Sequence, residues 1–177
     1  RNGNFIGGSN PMDNLTYYYK LSGGGTYQWS YNTSTHLNDL PSDATNQLDH
    51  VDETASGTGS YTGDVEDQGA TNYTYDAIGN LETDVQEEIA NIEWTVFGKI
   101  RKITRTSVSD KPDLEFRYNA MGNRICKIVK PKDPGTHLVL DQRDWTYTYY
   151  THDASGNVMA VYDGDLSDDR RDVDDKI

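Results

Sequence analysis

Tyr75-Asp76-Ala77-Ile78-Gly79-Asn80-Leu81 returns twice further along the chain, as Tyr118-Asn119-Ala120-Met121-Gly122-Asn123-Arg124 and as His152-Asp153-Ala154-Ser155-Gly156-Asn157-Val158. A degenerate copy, Trp94-Thr95-Val96-Phe97-Gly98-Lys99-Ile100, lies between the first two. The glycines at 79, 98, 122 and 156 are 19, 24 and 34 residues apart, and the long last step holds Pro131-Lys132-Asp133-Pro134-Gly135, which reads as a loop insertion. A repeat at this period is the first thing to settle, because it governs the reading of everything else.

Each copy opens with bulky residues two apart: Tyr73 and Tyr75, Ile92 and Trp94, Phe116 and Tyr118, Tyr150 and His152. That spacing puts both on one face of a strand. The next residue is Asp76, Thr95, Asn119 or Asp153. Each is a short side chain able to accept a hydrogen bond from a backbone N–H two residues on. After two unconstrained positions comes the glycine. This pattern predicts a type I turn followed by a residue at positive φ, the three-residue hairpin loop closed by a glycine bulge. Glycine takes that conformation freely, whereas other residues pay roughly 1 kcal/mol. Asn80, Lys99, Asn123 and Asn157 then start the return strand, which Leu81, Ile100 and Val158 continue and from which Arg124 departs. The unit is strand, tight turn, strand. One hairpin cannot bury its own aromatic face, so neighbouring hairpins must stack side by side. The expected fold is all-β: stacked antiparallel hairpins forming a curved sheet.

Composition agrees. Of 177 residues only 34% are hydrophobic, too few for a thick globular core. The 13 Tyr, 3 Trp and 3 Phe argue against disorder and for sheet that stays wet on at least one face. A formal net charge of −13 argues against general nucleic-acid binding. No apolar run approaches the ~20 residues of a membrane helix, so no membrane insertion is expected. Cys126 is the only cysteine, so no internal disulfide is possible, and it reads as a structural thiol in a strand.

Outside the array, residues 1–71 read as divergent N-terminal repeats and a Gly/Ser/Asp-rich connector. Thr45-Asn46-Gln47-Leu48-Asp49-His50-Val51 resembles a half-copy without the glycine, and Arg1-Asn2-Gly3-Asn4-Phe5-Ile6 the tail of another. Residues 72–163 form the repeat array and 164–177 an acidic terminal tail. The best helical run, Asp84-Val85-Gln86-Glu87-Glu88-Ile89-Ala90, is too short to insist on. The chain opens with Arg1 and carries no signal-peptide pattern.

The four copies resemble YD repeats of the Rhs family, which is also similar to the C components of bacterial insecticidal toxin complexes and to the repeats of teneurins. Asn91-Ile92-Glu93-Trp94-Thr95-Val96-Phe97-Gly98-Lys99-Ile100 looks like the version common in Bacteroidetes-type members. The resemblance covers residues 72–163, and more weakly 10–53. It implies a ribbon of strands belonging to a hollow β-shell, the wall of a secreted or cell-surface bacterial protein such as a polymorphic toxin. The implied partner is an encapsulated effector domain of the parent polypeptide. The family's Asp-Pro-x-Gly-Arg element and self-cleaving aspartates have no match here, so self-proteolysis is not carried over.

No constellation in the sequence points to catalysis. Asp76 and Asp153 are explained by the turn, and Asn119 and Thr95 in the same slot cannot do acid–base work. The residues expected to matter are those that form the turns: Tyr75, Asp76, Gly79, Asn80, Trp94, Thr95, Gly98, Tyr118, Asn119, Gly122, Asn123, Asp153, Gly156 and Asn157. His36, His50, His137 and His152 form no zinc spacing, and Asp163 to Asp174 mimics a calcium loop with Asp168 where glycine is needed. No metal and no cofactor is expected. Lys99, Arg101, Lys102, Arg105, Arg124, Lys127, Lys130 and Lys132 read as cross-strand partners of acids, or else as a binding stripe. Tyr73, Trp145, Tyr147 and Tyr149 are the candidates for a ligand face that stacks on glycans, the alternative being that such aromatics pack within the sheet.

Overall fold

The structure, a computed structural model, describes residues 15–28, 31–32, 37–38, 40–53 and 68–165. The N-terminal Arg1–Ile6 fragment, most of the connector and the acidic tail beyond Asp165 lie outside the described residues. The chain is all-β: among the described residues the only helical piece is a single 3-10 turn, Gln142–Asp144. It divides into two compact units, residues 1–81 and 82–177.

In the first unit β1 (Leu15–Leu21) lies between β2 (Thr26–Gln28) and β5 (Ala44–Glu53), antiparallel to both, and β3 (Tyr31–Asn32) pairs with β4 (Leu37–Asn38). β6 (Tyr73–Tyr75) follows. The expected half-copy at residues 45–51 is not a turn but the interior of β5, paired along its length with β1. Without a glycine to leave the extended region, the backbone runs straight through it.

The second unit carries β7 (Leu81–Asp84), β8 (Ile89–Trp94), β9 (Ile100–Arg105), β10 (Asp113–Tyr118), β11 (Arg124–Lys130), β12 (Thr146–His152) and β13 (Val158–Asp165). They lie side by side in strict chain order in an eight-stranded antiparallel sheet, whose last strand is β6. The helix-like run after Asp84 is a tight turn instead. The Glu87 N–H donates to Asp84 Oδ1 at 3.0 Å, the Glu88 N–H donates to the Val85 carbonyl, and Glu88 sits at φ +56°. The four residues between β7 and β8 are too few for a helix to repay its nucleation cost. Asp163 and Gly164, expected at the edge of the acidic tail, are still strand.

Cross-strand register sorts the side chains into two faces. On one, Glu93, Lys102, Glu115, Ile128, Tyr147 and Gly164 form a row, with Arg117, Cys126, Tyr149 and Tyr162 beside it. On the other, Ile92, Ile103, Leu114 and Val129 run together. The core is small. Ile128 is fully buried, Cys126 and Tyr147 nearly so, and Trp145 packs against them.

Candidate functional site

The four repeat turns share one geometry. Gly79, Gly98, Gly122 and Gly156 have φ of +90°, +68°, +81° and +88°. In each loop the glycine N–H donates to the carbonyl of the residue three back, and that residue's own N–H donates to the carbonyl of the residue after the glycine. The short polar side chain ties the loop from inside. Asp76 Oδ1 accepts from the N–H groups of Ile78 and Asn80, Asn119 Oδ1 from those of Met121 and Asn123, and Asp153 Oδ1 from those of Ser155 and Asn157, all at 2.8–3.0 Å. In the degenerate copy Thr95 Oγ1 accepts from the N–H of Lys99 at 3.1 Å. Asn80 and Asn157 also donate their side-chain amides to Asp76 Oδ2 and Asp153 Oδ2.

These bonds set the carboxyl ionisation. The Asn157 amide and N–H, with those of Ser155 and Gly156, hold the Asp153 carboxyl below the usual carboxylate range. At Asp76 desolvation pushes upward, but the Asn80 N–H and amide, with Ile78 and Gly79, outweigh it. Both carboxylates accept bonds that close their loops.

Adjacent turns also touch one another within the second unit. A Cβ on Gly156 would lie 3.2 Å from the Asn123 amide, and one on Gly122 would lie 3.9 Å from Lys99 Cε. The residue after one glycine therefore leans on the next glycine. Tyr118 reaches back in the same direction, its hydroxyl donating to the Ile100 carbonyl at 2.7 Å.

Three residues past Gly98, Gly122 and Gly156, the register slips by one. Arg101, Ile125 and Met159 have no cross-strand partner, while their neighbours pair normally. This second bulge has no sequence signal, since an arginine, an isoleucine and a methionine share no turn chemistry. It belongs to the backbone of the repeat. The odd residue Arg124 finds its reason here: its guanidinium sits 4.9 Å from the Phe116 ring centre and 6.0 Å from that of Tyr150, bridging two aromatics.

The candidate ligand face is largely covered. Residues 131–145 fold over it. Trp145 donates its indole N–H to the Leu140 carbonyl, Gln142 donates to the Tyr147 hydroxyl at 3.0 Å, and Lys130 Nζ lies 4.2 Å from the centre of the Trp145 ring. Tyr147, 7% exposed, offers no open stacking surface, and Trp145 is partly buried against the cluster of Cys126, Ile128 and Tyr147. Tyr73 lies in the first unit, where its hydroxyl accepts from Gln68 Nε2 at 2.9 Å. Only Tyr149, 47% exposed and stacked on Tyr147, stays open, beside Tyr162.

The basic residues are mostly paired rather than gathered. Glu93 takes Arg101 and Lys102, Glu115 takes Lys130 at 2.7 Å and Arg117 at 3.3 Å, and Glu87 takes Arg105 and Lys111. Lys130 holds the Glu115 carboxyl below its ordinary range, as Lys111 does for Glu87. Lys132 is buried, donating to the Thr106 carbonyl at 2.9 Å and lying 3.7 Å from Asp113. Burial pushes the Cys126 thiol up, away from the thiolate that a nucleophile needs.

The first unit holds one charged cluster that the sequence did not single out. Asp49, nearly buried, accepts from Lys20 at 3.2 Å, from His50 Nδ1 at 2.8 Å and from the Thr71 N–H at 2.8 Å, and Tyr18 stacks on the His50 ring. Its only signal is an Asp-His pair inside an alternating strand. Among the described residues, no group of His, Cys, Asp and Glu is arranged to hold a metal ion. No protein-family model matches the chain, and no curated protein is significantly similar to it.

Proposed function

We propose that this chain is a non-enzymatic wall segment of an Rhs-like YD-repeat shell, a structural element of a secreted or cell-surface bacterial protein that encloses an effector domain of the same polypeptide. The observation that carries this reading is the pairing of motif with topology. Glycine turns of one geometry close successive hairpins, and the strands they join add to a single sheet in chain order. Such a sheet grows by repetition without needing a thick core, which is what a wall requires and a catalyst does not. The aspartates of the motif are spent on backbone N–H groups. The alternative, an adhesin module binding carbohydrate or protein through the aromatic face, rests mainly on Tyr149, because Tyr147 is buried and Tyr73 and Trp145 are partly buried.

The test uses the natural polypeptide. Limited proteolysis is expected to leave an effector domain uncut while the repeat region is intact, and to digest it once the repeats are unfolded with denaturant. An effector domain digested at the same rate in both conditions would contradict the wall. A glycan array on this chain separates the alternative: binding that vanishes on Tyr149→Ala would favour the adhesin.

A further inference from the structure

Asp49 and His50 are neighbours on β5, and strict alternation would send their side chains to opposite faces. They bond to each other instead, Asp49 Oδ2 to His50 Nδ1 at 2.8 Å. The reason is a bulge. Tyr18 pairs with His50 and Tyr19 with Leu48, so Asp49 is the extra residue between two ladder positions. A bulge re-aims the side chain it carries. Here it turns the carboxylate of a residue only 2% exposed onto the Thr71 N–H.

That bond falls on a strained residue. The φ of Thr71 is +65°, a conformation that a β-branched residue keeps only under restraint. The repeat turns meet the same demand with glycine, and Asn119 ties its loop without a charge. On either side of Thr71 the chain is pinned to β5. The Gln68 N–H donates to the Val51 carbonyl and the Val51 N–H to Gln68 Oε1, each at 3.0 Å, and the Tyr75 hydroxyl donates to the Leu48 carbonyl at 2.9 Å.

We propose that Asp49 is an acid-sensitive latch: its carboxylate keeps residues 68–72 folded against β5, and its protonation frees them before the rest of the fold opens. The charged groups around it favour the closed turn. Lys20 on β1 lies 3.2 Å from Asp49 Oδ1, and a protonated His50 would sit between Asp49 and Asp52, 3.7 Å from the latter. Tyr75 on β6 faces it as a phenol, neutral throughout the acid range. Burial pushes the Asp49 carboxyl up, but the Thr71 N–H, His50 and Lys20 outweigh it and hold it below the usual carboxylate range. The ionised form therefore stabilises the closed turn. That contribution is complete above the unfolded value of about 3.9 and is lost as pH falls through the lower, folded value.

The experiment is amide hydrogen exchange and carboxyl-carbon NMR on the whole chain, from about pH 6 to about pH 2, for the wild type, Lys20→Met and Asp49→Asn. Protection at Thr71 should fall about tenfold or more as the Asp49 carboxyl titrates, while Ile128 in the second unit stays protected. Lys20→Met should move that fall to higher pH. Asp49→Asn should leave Thr71 less protected at neutral pH and unchanging toward acid. Protection lost at Thr71 and Ile128 together overturns the proposal. So does a fall in Lys20→Met at the wild-type pH, or an Asp49→Asn chain that keeps the wild-type step. Should Asp49→Asn fail to fold, the order of opening in the wild type and the shift in Lys20→Met decide.

Discussion

Asp153 and Asn119 fill the same slot of the turn, one charged and one neutral, and each accepts the same two backbone N–H bonds. The carboxylate adds ionisation and one further bond, from the Asn157 amide to Asp153 Oδ2. Because the Asp153 carboxyl is held below its unfolded value of about 3.9, the ionised form favours the fold. That contribution is complete above the ordinary Asp range and is lost as pH falls through the lower, folded value. Asp153→Asn should lower the denaturant midpoint near neutral pH, where the carboxylate's contribution is complete, and flatten the fall in stability toward acid, so that the two proteins converge at low pH. An acid limb as steep as that of the wild type would contradict the linkage. The glycines carry the other half of the turn. Gly122, at φ +81°, tolerates no β-branched side chain without strain. Gly122→Val should cost about 1–2 kcal/mol or more, whereas Ser155→Ala, which keeps its backbone bond to Asp153, should stay within about 0.5 kcal/mol. Equal urea midpoints for the two variants would argue against the turn as a structural determinant.

Hairpins hold to one another through the middle of β11 and β12, where Ile128 is fully buried beneath Trp145. Ile128→Ala should cost about 2–5 kcal/mol in urea unfolding, and Ile125→Ala, at an unpaired and partly exposed bulge position, far less. A reversal of that order would misplace the core. The contrast also explains what the sequence disclosed. The turns were legible because every bond that makes them lies within five consecutive residues. The covered face was not, since alternation says which residues share a side but not which side a distant segment will cover. Pro131 to Gly135 lies between β11 and β12, outside both strands, yet nothing in it announced that Trp145 would pack against Ile128. The slip at Arg101, Ile125 and Met159 was invisible for a related reason: it is a property of paired backbones. At Thr45 to Val51 the Asn-x-Leu likeness misled, because the missing glycine was the residue that mattered.

Among the described residues few side chains are fully buried, and cohesion comes from ladders of backbone bonds with side chains laid across them. Ion pairs such as Glu115 with Lys130 and Glu93 with Lys102 run between strands, each worth well under about 1 kcal/mol where exposed. A chain of this kind gains stability from each neighbour it adds, which suits a wall and accounts for the low hydrophobic content of 34%. It follows that the contacts between hairpins, not those within them, decide whether this is a sheet. Nuclear Overhauser spectroscopy on the labelled chain measures them separately. Leu114 faces Ile103 and Ile128 faces Tyr147 across strand pairs that no glycine turn joins. Cross-strand signals at both pairs, of strength similar to those between Glu93 and Lys102 within a hairpin, are the predicted result. Strong signals within the hairpins and none between them would contradict the account.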